Sequence, residues 1–265
     1  MGLYNNRIVV KVGTSTLTND AGKSDLRTTD RLVYVLSDIQ NLGYEVVLVS
    51  SGAIAVGRNK LNMTAKPDSM RMKQAAAAVG QCSLMYLYDK FFGDYDKTVA
   101  QILLNADDIE EEEKKENLIN TFNALLEMGV IPIVNENDSV SYKEIESEDR
   151  LFGDNDMLSA VVAVLCRAKH LVIFSDIDGF YDHDPRLYPN AQLIDQIDAI
   201  DDSVYALAGG AGSRRGTGGM RTKLQAASLA TSQGTNTIVT NGKRPEVLYD
   251  IIKGGRAGTL FPGKI

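Results

Sequence analysis

This sequence has few of the residues that build metal centres, disulfide frameworks and catalytic triads. Its 265 residues include two cysteines, Cys82 and Cys166, and two histidines, His170 and His183. Two separate cysteines without metal-type spacing indicate core residues in a reducing compartment, so we expect a cytoplasmic protein. Two isolated histidines make neither a zinc site nor a Ser-His-Asp triad. We therefore predict no side-chain metal site.

Long apolar runs and an excess of positive charge are also missing. The longest mostly apolar run, 158–166, is far shorter than the roughly 20 residues of a transmembrane helix, and from the first residues we expect no cleavable signal. The net charge of −7 argues against nucleic acid or an anionic membrane as the main partner. With 44% hydrophobic and 24% charged residues, the composition is typical of a globular protein.

Strand-like and helix-like segments alternate along the whole chain, without a repeat or a Pro/Ser-rich linker. Patterns of buried strands occur at 8–12, 44–49, 98–104, 130–134, 171–174 and 236–240, with a closing strand near 259–261. Helical patterns lie between them, the first capped by Thr28 or Thr29. This order predicts an α/β fold, a three-layer α/β/α sandwich on a mostly parallel sheet, in a single domain 1–265.

A lysine lies at the carboxyl end of the first predicted strand. Val12 follows Lys11 and ends the strand, and Gly13-Thr14-Ser15 comes next. Ligands of open α/β sheets bind outside the carboxyl ends of the strands, and a lysine beside hydroxyl groups and a flexible glycine suits a phosphate. The alternative is that Lys11 only extends its ammonium group to solvent from the end of a core strand.

A glycine-rich segment precedes a second notable lysine. Residues 209–219 hold six glycines and lead into Lys223. Backbone N–H groups of glycines, the positive end of the next helix and the lysine charge together suit a phosphate, whereas the alternative is a mobile surface loop. Lys11 and Lys223 at one sheet edge would bracket a phosphoryl group in transfer, a reaction that depends on positioning and charge neutralisation.

Two common nucleotide-binding motifs do not fit this sequence. Gly22-Lys23-Ser24 is similar to the end of a Walker loop, but the spacing requires glycine where Leu17 stands. The G-x-G-x-x-G candidate at Gly216 fails at Arg221, so a dinucleotide site is not expected.

Polar runs follow two other predicted strands. Ser50-Ser51-Gly52-Ala53 follows the second strand and Asn135-Glu136-Asn137-Asp138 follows the fourth. Four polar side chains directly after a core strand are costly unless they are paired or bind a ligand. Gly153-Asp154-Asn155-Asp156 precedes a helix, where carboxylates either cap the helix or hold lysines and a substrate amine. An acidic loop, 139–152, lies between the last two runs.

These motifs stand in the order and spacing of the amino acid kinase family, and from about residue 7 to 261 the chain resembles its glutamate 5-kinase branch. The motifs are at 8–15, 50–55, 131–138, 153–156 and 216–223. The resemblance implies transfer of phosphate from ATP, with Mg²⁺, to the side-chain carboxylate of L-glutamate in the first step of proline biosynthesis. It also implies a glutamate-binding half at roughly 1–165 and an ATP-binding half at roughly 166–265, without the PUA domain of many members.

The resemblance also implies the role of individual residues. Lys11 and Lys223 would stabilise the phosphoryl group, and Asp156 would hold the two lysines in position. The glutamate-binding positions would be Ser51, Asp138 and Asn155, with Gly52 and Ala53 shaping the pocket. The ATP-binding positions would be Lys11, Ser175, Asp176, Thr217, Gly218, Gly219, Met220, Arg221, Thr222 and Lys223.

The chemistry of a carboxylate acceptor agrees with the scarcity of histidine. A glutamate side chain is ionised at pH 7 and needs no general base, and Mg²⁺ held by phosphates and water needs no protein cage. The resemblance further implies a homo-oligomer (dimer or tetramer), proline as a feedback inhibitor and coupling to glutamyl-phosphate reductase. The alternatives are another small-substrate kinase of this family, such as one acting on UMP, and a non-catalytic regulator that binds a nucleotide or an amino acid.

Overall fold

A computed structural model describes residues 2, 4–18, 23–140, 155–208 and 219–264. Its strands are β1 (Tyr4–Val12), β2 (Glu45–Ser50), β3 (Val99–Leu104), β4 (Ile131–Glu136), β5 (Ala168–Ser175), β6 (Asn236–Asn241) and β7 (Thr259–Phe261). They form one sheet in the order β3-β4-β2-β1-β5-β6-β7. Each neighbouring pair is parallel except β6 and β7, which are antiparallel. The predicted mostly parallel sheet is confirmed.

The helices cover both faces of this sheet. They are α1 (Thr14–Leu17), α2 (Leu26–Asn41), α3 (Ala53–Lys60), α4 (Met70–Gly93), α5 (Asp107–Glu110), α6 (Glu112–Glu127), α7 (Asn155–Leu165), α8 (Asp202–Leu207), α9 (Met220–Ser232) and α10 (Val247–Ile252). One apolar core joins Val9 of β1 to residues of α6, α7 and α9, and a second joins Val10 to residues of α2, α4 and α10. Because successive strand residues face opposite sides, these two cores make the predicted three-layer sandwich.

The central position of β1 determines where the functional residues meet. β1 lies between β2 and β5, and Lys11 is in register with Val49 on one side and Ile173 on the other. All three strands run in the same direction, so their carboxyl ends lie at one edge of the sheet. α7 and α9 begin beside this edge, as the hydrogen bonds of the site show below.

Two local features differ from the sequence-based expectation. Asp25, rather than Thr28 or Thr29, caps α2, because its carboxylate accepts a hydrogen bond from the Thr28 backbone N–H at 3.0 Å. The residues after Gly52 form a separate helix, α3, which packs on α4 with Gly57 and Gly80 at the contact. A Cβ on either glycine would collide with the backbone of the other helix, so this contact brings the two helix backbones together.

Candidate active site

Three elements bring two lysines onto one buried carboxylate. Lys11 comes from the end of β1, Asp156 from the first turn of α7 and Lys223 from the first turn of α9. Lys11 Nζ lies 2.6 Å from Asp156 Oδ1, and Lys223 Nζ lies 2.9 Å from Asp156 Oδ2. We call these three residues the lysine–aspartate triad. All three are buried, with 4%, 0% and 8% of their surfaces exposed in the order given.

The two lysines of the triad hold the Asp156 carboxylate in its ionised form. Burial by itself raises the pKa of Asp156, but the ammonium groups of Lys11 and Lys223 outweigh it and hold that pKa well below its usual range. Thr222 Oγ1 donates a further hydrogen bond to Asp156 Oδ2 at 2.9 Å. Among the described residues, two buried ammonium groups contact one carboxylate here, an arrangement that suits an anionic ligand.

The burial of Lys11 decides between the two interpretations of its position. A lysine that only extended to solvent from a strand end would expose its ammonium group, whereas Lys11 is 4% exposed and paired with Asp156. The alternative of a solvent-directed Lys11 is therefore wrong.

A group of neutral amides lies directly beside the triad. Asn155 Nδ2 donates to Ser51 Oγ at 2.7 Å, to the Ser50 carbonyl at 3.1 Å and to Asn135 Oδ1 at 3.0 Å. Asn135 Nδ2 in turn donates to Gln81 Oε1 of α4 at 2.9 Å. We call Gln81, Asn135 and Asn155 the amide cluster. The hydrogen bond from Asn155 to Ser51 directly joins two of the predicted glutamate-binding positions.

The other predicted acceptor positions flank this cluster. Gly52 has φ +104°, a conformation that glycine adopts without strain, and it places Ala53 at the start of α3. Asp138 lies in the turn after β4, at the same sheet edge as Asn135, without a described contact to Asn155. Burial raises the pKa of Asp138 to about 6. A partly buried carboxylate at this edge of the sheet suits an ammonium group.

Several of the predicted ATP-binding residues lie at the end of β5 and at the start of α9. Ser175 is two residues beyond Ile173, the register partner of Lys11, and its hydroxyl donates to Asp176 Oδ1 at 3.3 Å. Two neighbouring residues at the start of α9 point in different directions. The Thr222 hydroxyl points to Asp156. Arg221 is exposed, and its guanidinium group lies 5.9 Å from the centroid of the Tyr205 ring.

Of the glycine-rich segment 209–219, the structure describes only residue 219. Gly219 is the N-cap of α9 and makes no side-chain cap hydrogen bond to the first backbone N–H groups of the helix, and N–H groups at a helix start suit a phosphate. Thr217, Gly218, most of the acidic loop 139–152 and residues 153–154 lie outside the described residues.

Reasoning from the sequence missed one polar residue at the acceptor side, Gln81. In the structure Ala77, Gln81, Leu84 and Tyr88 are all buried on α4. Their spacing of four, three and four residues is that of a core-facing helix stripe. A glutamine inside such a stripe is the signal that could have marked it, since a buried amide requires a partner.

Relatives of known sequence place the chain among kinases. Residues 6–241 match the amino acid kinase family. A glutamate 5-kinase of Clostridium perfringens (strain 13 / Type A) is 55% identical over 97% of this chain and 96% of its own length. One of Listeria innocua is 50% identical over 97% of this chain and 93% of its own. One of Caldanaerobacter subterraneus is 47% identical over 96% of this chain, which covers 67% of that relative.

Solved structures with low sequence identity share the fold. A carbamate kinase from Giardia lamblia bound to AMP-PNP superimposes with a TM-score of 0.66 at 15% identity, over 98% of each chain. A UMP kinase from Bacillus anthracis gives a TM-score of 0.63 at 15% identity, over 98% of this chain and 97% of that one. The match along the sequence and the shared architecture agree: the chain belongs to the amino acid kinase family and, within it, to the glutamate 5-kinases.

Proposed function

We propose that this protein transfers the γ-phosphate of ATP to the side-chain carboxylate of L-glutamate, giving ADP and L-glutamyl 5-phosphate, the first step of proline biosynthesis. The observation that carries the proposal is the position of two consecutive residues at the start of α7. Asp156 holds Lys11 and Lys223, while Asn155 binds Ser51 and Asn135. A phosphoryl site and an amino-acid site thus adjoin each other.

The reaction needs charge neutralisation more than it needs proton transfer. The acceptor carboxylate is already ionised at neutral pH, so its oxygen attacks the γ-phosphorus directly and the bond to the ADP oxygen breaks. Both reactants are anions, and the ammonium groups of Lys11 and Lys223 offset their repulsion and the charge of the transferring phosphoryl group. Asp156 fixes the separation and direction of the two ammonium groups, so little reorganisation is needed during transfer.

The residues present fit a magnesium ion that is carried by the nucleotide. Both carboxylate oxygens of Asp156 contact lysines, and no group of three potential ligand side chains that could hold a metal occurs in the described part of the chain. Mg²⁺ bound to the ATP phosphates and water would supply further charge neutralisation. The backbone N–H groups at the start of α9, together with Lys223, would face the same phosphates.

The acceptor and the nucleotide would occupy opposite sides of β1. Ser51, Gly52, Ala53, Asp138 and Asn155 would form the glutamate pocket beside β2 and β4, with the Asp138 carboxylate facing the substrate ammonium group. Ser175, Asp176 and residues 217–223 would hold ATP beside β5 and α9. The chain would thus divide into a glutamate-binding half near 1–165 and an ATP-binding half near 166–265, joined through the triad.

Further properties are proposed from the resemblance to glutamate 5-kinases. These are inhibition by proline, a homo-oligomeric state and coupling to a glutamyl-phosphate reductase, which inhibition assays, light scattering and a coupled assay would test. A cytoplasmic location fits the two free cysteines and the use of ATP. None of the described helices has the length and apolarity that crossing a membrane requires.

Trapping of the acyl phosphate tests the reaction and the acceptor together. The protein is incubated with ATP, Mg²⁺ and hydroxylamine, with glutamate, aspartate, N-acetylglutamate or UMP as the acceptor. We expect a hydroxamate with glutamate and with no other amino acid. ADP release with UMP and no hydroxamate would replace the acceptor while leaving the family assignment intact. ATP binding without turnover of any acceptor would favour a regulator.

A further inference from the structure

The hydrogen bonds of the amide cluster all run in one donor-to-acceptor order, which is set by the Ser50 carbonyl, a group that can only accept. The Ser50 carbonyl receives a hydrogen bond from Asn155, so the Asn155 side chain must present its Nδ2 there. The same Nδ2 reaches Asn135, which must then present its oxygen. Asn135 is left with its Nδ2 towards α4, and Gln81 must meet it with Oε1. The partners of each amide therefore fix which of its two ends is which.

The orientation of the Gln81 amide lowers the stability of the folded protein. Its Nε2 is buried and has no hydrogen-bond partner among the residues that the structure describes. A buried donor without a partner lowers stability, and turning the Gln81 amide over would place two N–H donors, those of Gln81 and Asn135, against each other. The side chain is thus held with Oε1 towards Asn135 although its other end gains nothing.

The consequence for the acceptor site lies at the opposite end of the cluster. None of the hydrogen bonds described for Asn155 uses its Oδ1, because all of them are made by Nδ2. With Nδ2 occupied, Oδ1 is directed away from these partners and remains for a donor such as the ammonium group of an amino acid. If Asn135 turned over, its Nδ2 would oppose Asn155 Nδ2, and this orientation of Asn155 would lose its support.

We propose that Gln81 is a positioning residue for the amino-acid acceptor: through Asn135 it fixes the orientation in which Asn155 receives the substrate. The proposal rests on the proposed function of this site, and it assigns Gln81 to binding of the acceptor, with no part in phosphoryl transfer. Gln81 lies on α4, and its described hydrogen bond joins it to Asn135 rather than to Asn155, so its proposed effect on the substrate is indirect.

Substitution of Gln81 separates positioning from a general loss of stability. Gln81→Met keeps the length of the side chain and removes the acceptor oxygen. We expect an increase of about tenfold in KM for glutamate, with kcat and the KM for ATP within about twofold of the wild type. Gln81→Glu, assayed at pH 8 where the carboxylate only accepts, should keep the KM for glutamate within about threefold of the wild type.

Thr235→Val is the matched control for lost stability. The Thr235 hydroxyl is buried and donates to the Ala168 carbonyl at 2.8 Å, at the amino-terminal edge of the sheet, away from the site. This variant loses one buried hydrogen bond and should leave the KM for glutamate unchanged. An equal rise in this control, or a fall in kcat without a rise in KM in Gln81→Met, would overturn the role of Gln81.

A measurement without substrate keeps this inference distinct from the reaction itself. In ¹⁵N-labelled protein, the side-chain NH₂ protons of Asn135 and Asn155 should exchange slowly with solvent and should exchange faster in Gln81→Met. Unchanged protection would refute the positioning role. If Gln81→Met lost this protection but the wild type formed no glutamyl hydroxamate, the role of Gln81 in fixing the amides would stand. Only the choice of glutamate as the acceptor would be refuted.

Gln81→Glu also serves if Gln81→Met does not fold. Lowering the pH from 8 to 6 favours protonation of its buried carboxyl group, which then has one O–H donor and one acceptor oxygen, so the side chain no longer confines Asn135 to presenting its Nδ2. We expect the KM for glutamate to rise more in this variant than in the wild type over the same interval. An identical pH dependence in both proteins would contradict the proposal.

Discussion

Asn155 and Asp156 are neighbours in the chain, yet they belong to two clusters of opposite character. Asp156 lies in an ionic group, where two ammonium ions from β1 and α9 contact its carboxylate. Asn155 lies in a neutral group, where each contact is a hydrogen bond between amides, a hydroxyl and a carbonyl. One turn of α7 therefore supplies both halves of the site.

The difference matches the role that we propose for each half. Charge develops and moves on the phosphoryl group, so fixed ammonium ions act mainly in the transition state and should control kcat. An amino acid has to be held in one orientation before the reaction, which directional hydrogen bonds do without a net charge. Changes in the triad should therefore lower kcat, and changes around the amide cluster should raise the KM for glutamate.

Asp156→Asn should have the largest effect, because it removes the negative charge between two buried lysines. We expect kcat to fall by about a thousandfold or more, and the free energy of unfolding to fall by about 3 kcal/mol. Hydroxamate formation and urea unfolding measure the two effects. Asp184→Asn is the control, since Asp184 pairs with Arg186 near the surface, and it should change neither value appreciably. Retention of a tenth of the wild-type kcat would contradict the role given to Asp156.

Lys223→Met should come next, because it removes one ammonium ion and leaves Lys11 paired with Asp156. We expect kcat to fall by about a hundredfold or more, while the KM for glutamate stays within about threefold. Steady-state kinetics with either substrate varied separate the two constants. If the KM for glutamate rose as much as kcat fell, Lys223 would belong to the acceptor pocket and the division between the clusters would fail.

Asp138→Asn tests a charged residue on the neutral side. We expect the KM for glutamate to rise by more than about tenfold, because the substrate ammonium group loses its carboxylate partner. In the wild type, kcat/KM for glutamate should fall as the pH drops below about 6, where Asp138 becomes protonated. A pH profile for Asp138→Asn without this loss would assign it to Asp138. An unchanged KM for glutamate would remove Asp138 from the pocket.

The same substitution should increase stability. The pKa of Asp138 is raised from 3.8 to about 6 in the folded protein, so the wild type loses stability as the pH rises through this interval. At pH 7.5 we expect Asp138→Asn to unfold with a free energy about 1–2 kcal/mol higher, and this gain should vanish below pH 4. Urea unfolding at both pH values measures it. A destabilised variant at pH 7.5 would show that the carboxylate has a stabilising partner.

Ser51→Ala should have the smallest effect of the four. It removes one of the three acceptors of Asn155 Nδ2, while the Ser50 carbonyl and Asn135 remain in place. We expect the KM for glutamate to rise about three- to fivefold, with kcat unchanged. Gln40→Ala, on α2 away from the site, is the control for loss of a side-chain hydrogen bond. A fall in kcat beyond tenfold would place Ser51 in the transfer step.

Much of this arrangement could be predicted from the sequence. The alternation of strands and helices predicts a mostly parallel sheet, and parallel strands place the residues after Val12, Ser50 and Ser175 at one edge. Positive charge beside glycines marks Lys11 and Lys223 as site residues in the sequence, and the structure brings both onto Asp156. These features are local to strand ends and helix starts, where residue type and position already define the chemistry.

The unpredicted features depend on contacts between distant segments. Gln81 meets Asn135 across 54 positions of the chain, and only the packing of α4 on the sheet brings them together. Which residue caps α2 depends on the local path around Asp25, and the direction of β7 depends on the connection after α10. A single sequence contains the pattern of each segment but not the pairing between segments.

The contact between Gly57 and Gly80 has a mechanical consequence. The two backbones touch and leave no side chain between them to rearrange, so a movement of α3 would require a movement of α4. α3 begins directly after Gly52, beside the acceptor pocket, and α4 has 24 residues, a length of about 36 Å. A displacement of α3 beside the proposed acceptor pocket would therefore displace α4 as well, and through its length would reach a distant part of the surface.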